Sequence, residues 1–365
     1  MKKVSLIGCT GSIGRQVIDV IGRYPDKFKI TALVAGRDSE AFDRLAEQLK
    51  PEYSATASSG IAPEEAVAGC DIVFNAAGGF AGLGYSLAAI KAGKTLALAN
   101  KETLVCGGDV VMPLAEKAGV DILPVDSEHS AIWQCLNFNG NAKFRRLIIT
   151  ASGGAFRDFT PEQLEGVTPE QALAHPTWKM GKKITVDSAT LMNKGYEVIE
   201  AHILYKAPYR DIETVIQPQS VVHSLVEFTD GAVMAQMSYP TMELPIQLAL
   251  SYPERLSLSV APMDFGTVFS LDFKPLPEGK YPCFALALEC GKAGGIMPCV
   301  LNAADEVAVS AFLQGEISFT DIYRVVDGVV QKTVNDKAES FGRLKQADEA
   351  ARAAAREIIG RVASA

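Results

Sequence analysis

The sequence predicts an α/β protein: an N-terminal doubly wound parallel sheet, a central mixed α/β domain and a C-terminal helical bundle. Three observations carry this. Short apolar runs recur at 3–8 (KVSLIG), 30–35 (ITALVA), 71–74 (DIVF), 95–99 (TLALA) and 121–125 (DILPV), with helically spaced stretches between them. Runs this short suit strands covered on both faces, and the intervening helices are the crossovers that parallel strands require. A second group of strands is expected at 144–151 (FRRLIITA), 213–217, 221–228 and 231–238. Beyond 283 the pattern is helical only, ending in the alanine-rich KQADEAARAAAREIIGRVASA, as in a small bundle.

Between these groups, GKKITVDSATLMNKGYEVIEAHILY at 181–205 reads as a strand leading into an amphipathic helix. Proline and glycine crowd 253–282 with little periodicity, which marks a linker. The expected division is therefore 1–124, 125–252, the linker 253–282, and 283–365.

The chain has 365 residues, more than one hydrophobic core normally organises. Its 48% hydrophobic and 21% charged residues are ordinary for a soluble globular enzyme. A net charge of -8 repels polyanions and argues against nucleic acid as a partner, while leaving room for a small anionic substrate. MKKVSLIGCTGSIG runs directly into a glycine motif with no space for a signal-peptide apolar region, and no window has the apolar length of a membrane span. A cytoplasmic protein is expected. The seven cysteines (9, 70, 106, 135, 283, 290 and 299) show no CxxC or Cys/His zinc spacing, so reduced, buried thiols are the expectation.

The first strand ends in Gly8-Cys9-Thr10-Gly11-Ser12-Ile13-Gly14, followed by the helical RQVIDVIGRY. Strand, glycine turn and helix in this order let the backbone approach a pyrophosphate, held by free N–H groups at the helix N-terminus. The first domain is in that sense Rossmann-like. The spacing is GxxGxxG rather than GxGxxG, and tight strand–helix packing is an alternative reason for the glycines. Val34-Ala35-Gly36-Arg37-Asp38 ends the second run, where such folds meet the adenosine ribose. Arg37 favours a 2′-phosphate through forked hydrogen bonding; Asp38 keeps the free 2′-hydroxyl open.

Asp126 and Glu128 in PVDSEHSAIWQ follow the fifth apolar run, at the sheet edge where open α/β folds bind ligands. In an extended segment they point the same way and converge on one cation. Alternatively Asp126 or Ser127 caps the helix that follows. In MNKGYEVIE, Asn193, Lys194 and Glu197 share a face if helical. Three hard oxygen ligands suit Mg²⁺ or Mn²⁺. Ser152, Ser188, Asn193 and Lys194 supply donors for a phosphate. Trp178 follows a proline turn and reads either as core or as part of a lid.

Six strings together resemble the 1-deoxy-D-xylulose 5-phosphate reductoisomerase family: GCTGSIG (8–14), ANKETLV (99–105), VDSEHSAIWQCL (125–136), TASGGAF (150–156), HPTWKMGKKITVDSATLMNKGYEVIEA (175–201) and LNAADEVAV (301–309). The resemblance implies NADPH-dependent conversion of 1-deoxy-D-xylulose 5-phosphate to 2-C-methyl-D-erythritol 4-phosphate in non-mevalonate isoprenoid precursor biosynthesis. It further implies a homodimer that uses Mg²⁺, Mn²⁺ or Co²⁺, with a catalytic and dimerisation domain carrying a lid near 173–183. By motif match, the metal ligands are Asp126, Glu128 and Glu197. Substrate contacts fall on Lys101, Ser127, Glu128, Ser152, His175, Ser188, Asn193, Lys194 and Glu197, with Lys101 and His175 grouped with the three carboxylates as catalytic. Cofactor contacts fall on Thr10, Gly11, Ser12, Ile13, Gly36, Arg37, Asp38, Asn100, Glu102 and Gly181. Asp38 stands where the family more often has a neutral amide, and Asp305 where it has asparagine; a local structural effect is expected at Asp305.

Two other classes compete with this reading. A semialdehyde-dehydrogenase-like enzyme would need a nucleophilic cysteine, for which Cys106 and Cys135 are candidates by type alone. A non-enzymatic NADP sensor has no use for Asp126, Glu128 and Glu197 together.

Overall fold

A computed structural model describes residues 1–137, 139, 142–257, 260–266 and 270–362. Strand and helix alternate first: β1 (Lys2–Ile7), α1 (Ser12–Gly22), β2 (Phe28–Ala35), α2 (Glu40–Leu49), β3 (Tyr53–Thr56), α3 (Pro63–Val67), β4 (Ile72–Asn75) and α4 (Gly82–Lys91). They continue with β5 (Thr95–Leu98), α5 (Glu102–Ala118), β6 (Ile122–Pro124) and α6 (Ser127–Asn137). Then come β7 (Phe144–Ala151), α7 (Pro169–Leu173), α8 (Lys182–Thr190), α9 (Met192–Tyr205), β8 (Ile212–Ile216), β9 (Val222–Phe228) and β10 (Val233–Met237). The chain closes with α10 (Glu243–Ser251), β11 (Lys274–Pro275), α11 (Pro282–Ala293), α12 (Met297–Leu313), α13 (Phe319–Lys332) and α14 (Phe341–Val362). Two compact units result: Met1–Thr103, Val110–Ser130 and Thr241–Pro262 form one, and Leu104–Asp109, Ala131–Pro240 and Met263–Ala365 the other.

The first unit holds a parallel sheet of order β3-β2-β1-β4-β5-β6. All four residues of β4 are buried, as are the last four of β1, because helices cover both faces and leave no solvent side to alternate toward. Strand order reverses between β1 and β4, which opens a crevice beyond their C-terminal ends. β3 escaped the sequence reading because YSAT is a short, polar edge strand rather than an apolar run. With β3 counted, Asp126 and Glu128 follow the sixth strand, not the fifth. Arg23 pairs with Glu243 at 2.5 Å, and Lys2 Nζ donates to the carbonyls of Leu250 and Tyr252, which ties α10 and its flank into this unit.

The second unit holds a mixed sheet of order β10-β9-β7-β8-β11, with β7 and β8 parallel and the other pairs antiparallel. Leu147, Ile149, Val226 and Phe228 of the sheet form one buried cluster with Val198 and Ala201 of α9 and with Ile132 and Cys135 of α6. Helices α11 to α14 follow; α12 is buried nearly throughout and packs against α13 and α14. A reciprocal cap between Ser318 and Asp321 starts α13.

At 181–205 the structure corrects the sequence reading, since the first part is helix α8 and not a strand. Ile184, Thr185 and Val186 have strand propensity, but tertiary burial overrides it. Thr185 Oγ1 bonds back to the Gly181 carbonyl at 2.8 Å, and Lys183 Nζ lies 2.7 Å from Asp187 Oδ2 one turn on. The same ammonium reaches Asp305 Oδ2 of α12 at 2.7 Å, and Tyr196 Oη donates to that oxygen at 3.2 Å. Asp305 is therefore the buried half of an ion pair that pins α8 to α12. The seven cysteines are buried free thiols; burial pushes Cys9 and Cys135 up to about 11. Among the described residues no helix is long and apolar enough to cross a membrane.

Candidate active site

The glycine turn sits at the β1 end of the crevice. Gly8 has φ +83°, and a Cβ there would lie 2.3 Å from the Ala76 carbonyl oxygen at the end of β4. A Cβ on Gly14 would lie 2.3 Å from the Gly8 oxygen, so the first turn of α1 can rest on the loop only without a side chain. Gly11 is the N-cap of α1 and offers no side-chain cap, which leaves the first N–H groups available to an anion. Thr10, Ser12 and Ile13 flank it on the same turn. The geometry fits a pyrophosphate, and it accounts for GxxGxxG by close approach at both outer glycines.

Gly36, Arg37 and Asp38 are exposed just past β2. Thr56 Oγ1 donates to the Asp38 carboxylate at 2.7 Å and Ser58 Oγ at 3.2 Å, so Asp38 is engaged by the β3 edge. Asn100 is a clamp: its Nδ2 donates to the Ala77 and Gly79 carbonyls at 2.9 Å and to Glu102 Oε2 at 2.8 Å. Sequence reasoning missed Asn75, buried at the end of β4, which donates to the Gly82 carbonyl and Ser86 Oγ at 2.8 Å. The signal available was a polar residue closing an apolar run, FNAAGG.

Asp126 is not in an extended segment. Its carbonyl accepts from Ser130 N–H at 2.8 Å, which makes it the residue before the first turn of α6, with Glu128 inside that turn. The two carboxylates still approach within 4.8 Å of each other, through helix geometry instead of strand alternation. Capping and charge readings therefore coexist: the Asp126 backbone starts the helix while its carboxylate meets Lys101 Nζ at 2.6 Å and His129 Nδ1 at 3.5 Å. Burial acts to push the Asp126 carboxyl up, but the Lys101 charge and the His129 hydrogen bond outweigh it and hold it well below the usual carboxylate range. Ser127 Oγ donates to Glu128 Oε2 at 2.5 Å. Hard, ionised oxygens of this kind fit a divalent cation.

The second unit gathers the remaining residues in two places. In α9, Asn193 Nδ2 donates to Glu197 Oε1 at 2.6 Å, and Lys194 Nζ pairs with Glu197 Oε2. Elsewhere Ser152 Oγ meets His175 Nε2 at 2.9 Å. Gly154, two residues on, has φ +70° and passes so close to α8 that a Cβ would lie 2.4 Å from the Ser188 carbonyl oxygen. The Ser152 turn thus rests on the Ser188 end of α8, whose N-cap is Gly181. Trp178 is half-buried, its ring 6.0 Å from that of His223. The Lys183–Asp187 pair was also missed, because a strand reading hides an i,i+4 spacing.

His175 is held neutral. Its Nδ1 accepts from the backbone N–H groups of Thr177 and Trp178 at 3.1 and 2.9 Å, so the ring proton sits on Nε2, facing Ser152. Burial, then the nearby Arg157 charge, push its pKa down to about 4 from 6.5. The unfolded chain takes up this proton first as pH falls, so the stability contribution is full above 6.5 and is lost toward 4. The urea midpoint is expected to fall between pH 7 and pH 4.5, and His175→Gln to flatten that part of the profile. An unchanged slope in the variant would refute the assignment.

A reversing parallel sheet with a side-chain-free turn at its switch point, and a buried charged cluster at the same edge, define an α/β nucleotide-binding enzyme. Family models match along the chain: 1-deoxy-D-xylulose 5-phosphate reductoisomerase at residues 4–64 and 56–108, its C-terminal domain at 122–205, and the DXP reductoisomerase C-terminal domain at 237–354. The 1-deoxy-D-xylulose 5-phosphate reductoisomerases of Acaryochloris marina and Exiguobacterium sibiricum are 46% and 48% identical, over 94% and 97% of this chain and 91% and 98% of theirs. A crystal structure of DOX-P reductoisomerase in complex with NADPH, fosmidomycin and magnesium superposes with a TM-score of 0.91 at 35% identity, covering 99% of this chain and 98% of that one. The chain belongs to the 1-deoxy-D-xylulose 5-phosphate reductoisomerase family.

Proposed function

We propose that this chain isomerises and reduces 1-deoxy-D-xylulose 5-phosphate to 2-C-methyl-D-erythritol 4-phosphate, using NADPH and a divalent cation, in isoprenoid precursor synthesis. The observation that carries it is the largely buried Asp126 carboxylate, kept ionised by Lys101 beside Glu128 at the ligand edge of a dinucleotide sheet. Asp126, Glu128 and Glu197 hold the cation, Mg²⁺ foremost, with Mn²⁺ or Co²⁺ as alternatives. When bound, it polarises the substrate's carbonyl and hydroxyl oxygens as a Lewis acid. NADPH supplies the hydride for the reductive half.

The protein's own groups do the rest. The Lys101 ammonium, already oriented on Asp126, stabilises negative charge that develops on the substrate oxygens. Ser152, the Nε2–H of His175, Ser188, Asn193 and Lys194 hold the phosphate, while Ser127, Glu128 and Glu197 orient the carbon skeleton. Because His175 is neutral near pH 7, it orients as a donor without shuttling charge. Trp178, in the lid at 173–183, excludes water on closure. Thr10, Gly11, Ser12, Ile13, Gly36, Arg37, Asp38, Asn100, Glu102 and Gly181 receive the cofactor. In domain terms, 1–124 binds cofactor and 125–252 carries catalysis and dimerisation, with Thr241–Tyr252 folding back onto the first unit, and 253–282, which includes β11, leads to the helical 283–365. A cytoplasmic homodimer completes the reading; edge strand β10, with Val233 51% and Met234 38% exposed, supports a partner there.

The test is NADPH absorbance on adding 1-deoxy-D-xylulose 5-phosphate, with and without EDTA. Oxidation that EDTA abolishes is expected; no rate in either condition overturns the proposal. Since Asp38 is engaged and Arg37 is exposed, Arg37→Gln should raise the KM for NADPH by roughly 10-fold or more, the loss of a hydrogen bond to a charged group, and leave that for NADH unchanged. Equal kcat/KM for the two cofactors in the unmodified protein would refute Arg37 as the selector.

A further inference from the structure

A cavity of about 250 Å³ lies wholly within the second unit, and none of the residues proposed for substrate, cation or cofactor lines it. Its walls are aromatic: Phe156, Tyr281, Phe319 and Tyr323. Phe156 and Phe319 meet edge-on with centroids 5.1 Å apart, so a further ring entering between the walls finds the same favourable edge and face geometry. Leu164 and Pro282 add aliphatic surface.

Two cations, Lys280 and Arg324, line this apolar space, and among the described residues no carboxylate does. Lys280 Nζ donates to the Arg157 carbonyl at 2.5 Å and lies 5.5 Å from the Tyr281 ring centroid, which fixes the ammonium at the wall with N–H groups to spare. Arg324 Nη1 meets Asp321 Oδ1 at 2.8 Å, which occupies part of a five-donor fork. Asp321 and Asp158 are the acids beside the two cations, and Asp327, Glu289, Asp187 and Asp305 act on the Tyr323 and Cys283 walls; Asp321 is also engaged by its Ser318 cap, and Asp158 is 77% exposed. Volume limits the occupant. An apolar cavity of about 150 Å³ holds benzene, and drug-sized ligands need roughly 300 Å³ or more. One ring with a short acidic arm fits between those limits.

We propose that this cavity is a binding site for a small monocyclic aromatic carboxylate, its ring among Phe156, Tyr281, Phe319 and Tyr323 and its carboxylate on Lys280 and Arg324. The proposal is independent of the catalytic reading, because binding is measured without turnover.

The experiment is isothermal titration calorimetry of phenylacetate into the full chain in NADPH and Mg²⁺, with phenylacetamide as the neutral isostere. Saturable binding at one site per chain is expected, with phenylacetamide weaker by roughly 10-fold because it lacks the charge-assisted contacts. Lys280→Gln and Arg324→Gln should each weaken phenylacetate, and Leu164→Trp, which fills the cavity, should abolish it. The Arg324 side chain is 70% exposed, so that variant folds and keeps the test decisive if Leu164→Trp does not. Absence of heat up to roughly 10 mM, an affinity beyond which such a site is not specific, overturns the proposal. So do equal affinities for acid and amide, affinity unchanged in the Lys280 and Arg324 variants, or displacement by 1-deoxy-D-xylulose 5-phosphate.

Discussion

Glu197→Gln is expected to lower metal-dependent turnover by roughly 10²- to 10³-fold, the equivalent of the few kcal/mol that Lewis-acid stabilisation contributes. Glu197 is 1% exposed in α9 and bonded by Asn193 and Lys194. Glutamine preserves shape and can still accept from Asn193, so the helix face survives. What it removes is a formal negative charge, which matters to a cation and to Lys194 alike. Removing the Glu197 charge that pairs with Lys194 at 4% exposure also costs stability, up to roughly 3 kcal/mol for a broken buried pair. Two measurements separate the effects. Circular dichroism melts report the fold, expected to remain cooperative with a lower midpoint. Steady-state rates at graded Mg²⁺ report the site, with the half-saturating concentration expected to rise at least 10-fold, the scale seen when support of a metal site is lost. Turnover unchanged at limiting Mg²⁺ would sink the assignment of Glu197 as a ligand.

Gly14→Ala is the second large expectation, and its sign is diagnostic. In an ordinary helix, alanine for glycine stabilises by about 1 kcal/mol. Here the added Cβ would stand 2.3 Å from the Gly8 oxygen and 2.7 Å from Cys9 Cα, both backbone, so α1 must withdraw from the turn. Overpacking of this kind costs about 1–3 kcal/mol and outweighs the propensity gain. Withdrawal also moves the helix N-terminus from the position where it meets a phosphate, so NADPH affinity is expected to fall by roughly 10-fold or more. Gly22→Ala at the other end of α1, where a Cβ has nothing within 4 Å, is the control: slightly more stable, with NADPH binding intact. Fluorescence titration of NADPH with both variants decides the matter. Tight binding by Gly14→Ala would mean that the outer glycine serves packing alone.

Much of this architecture is legible in the sequence alone. The five apolar runs of the first domain each became a strand, and 144–151 became β7 without a residue's shift, because buried strands are written as continuous β-branched and aliphatic runs. β3 was not legible, since an edge strand with one open face has no such run. Nor was α8, whose Ile184-Thr185-Val186 favours a strand until burial against α9 and α12, and the Lys183–Asp187–Asp305 charges, select the helix.

Site chemistry divides along a similar line. The residue types around the candidate site, carboxylates, a lysine, serines and a glycine turn, are properties of the sequence, because donor chemistry belongs to side chains whatever their placement. Their protonation and aim are not. That Asp126 starts a helix with its backbone while its carboxylate faces Lys101 depends on where β5 and β6 end. That His175 is neutral with its proton on Nε2 depends on two backbone N–H groups and on burial. By itself the sequence determined the α/β alternation, the glycine turn and the donor set, all encoded in local pattern. Only the tertiary structure decided which glycines exclude a Cβ, which carboxylates stay charged and which cavity carries two cations, because each follows from distances between residues remote in the chain.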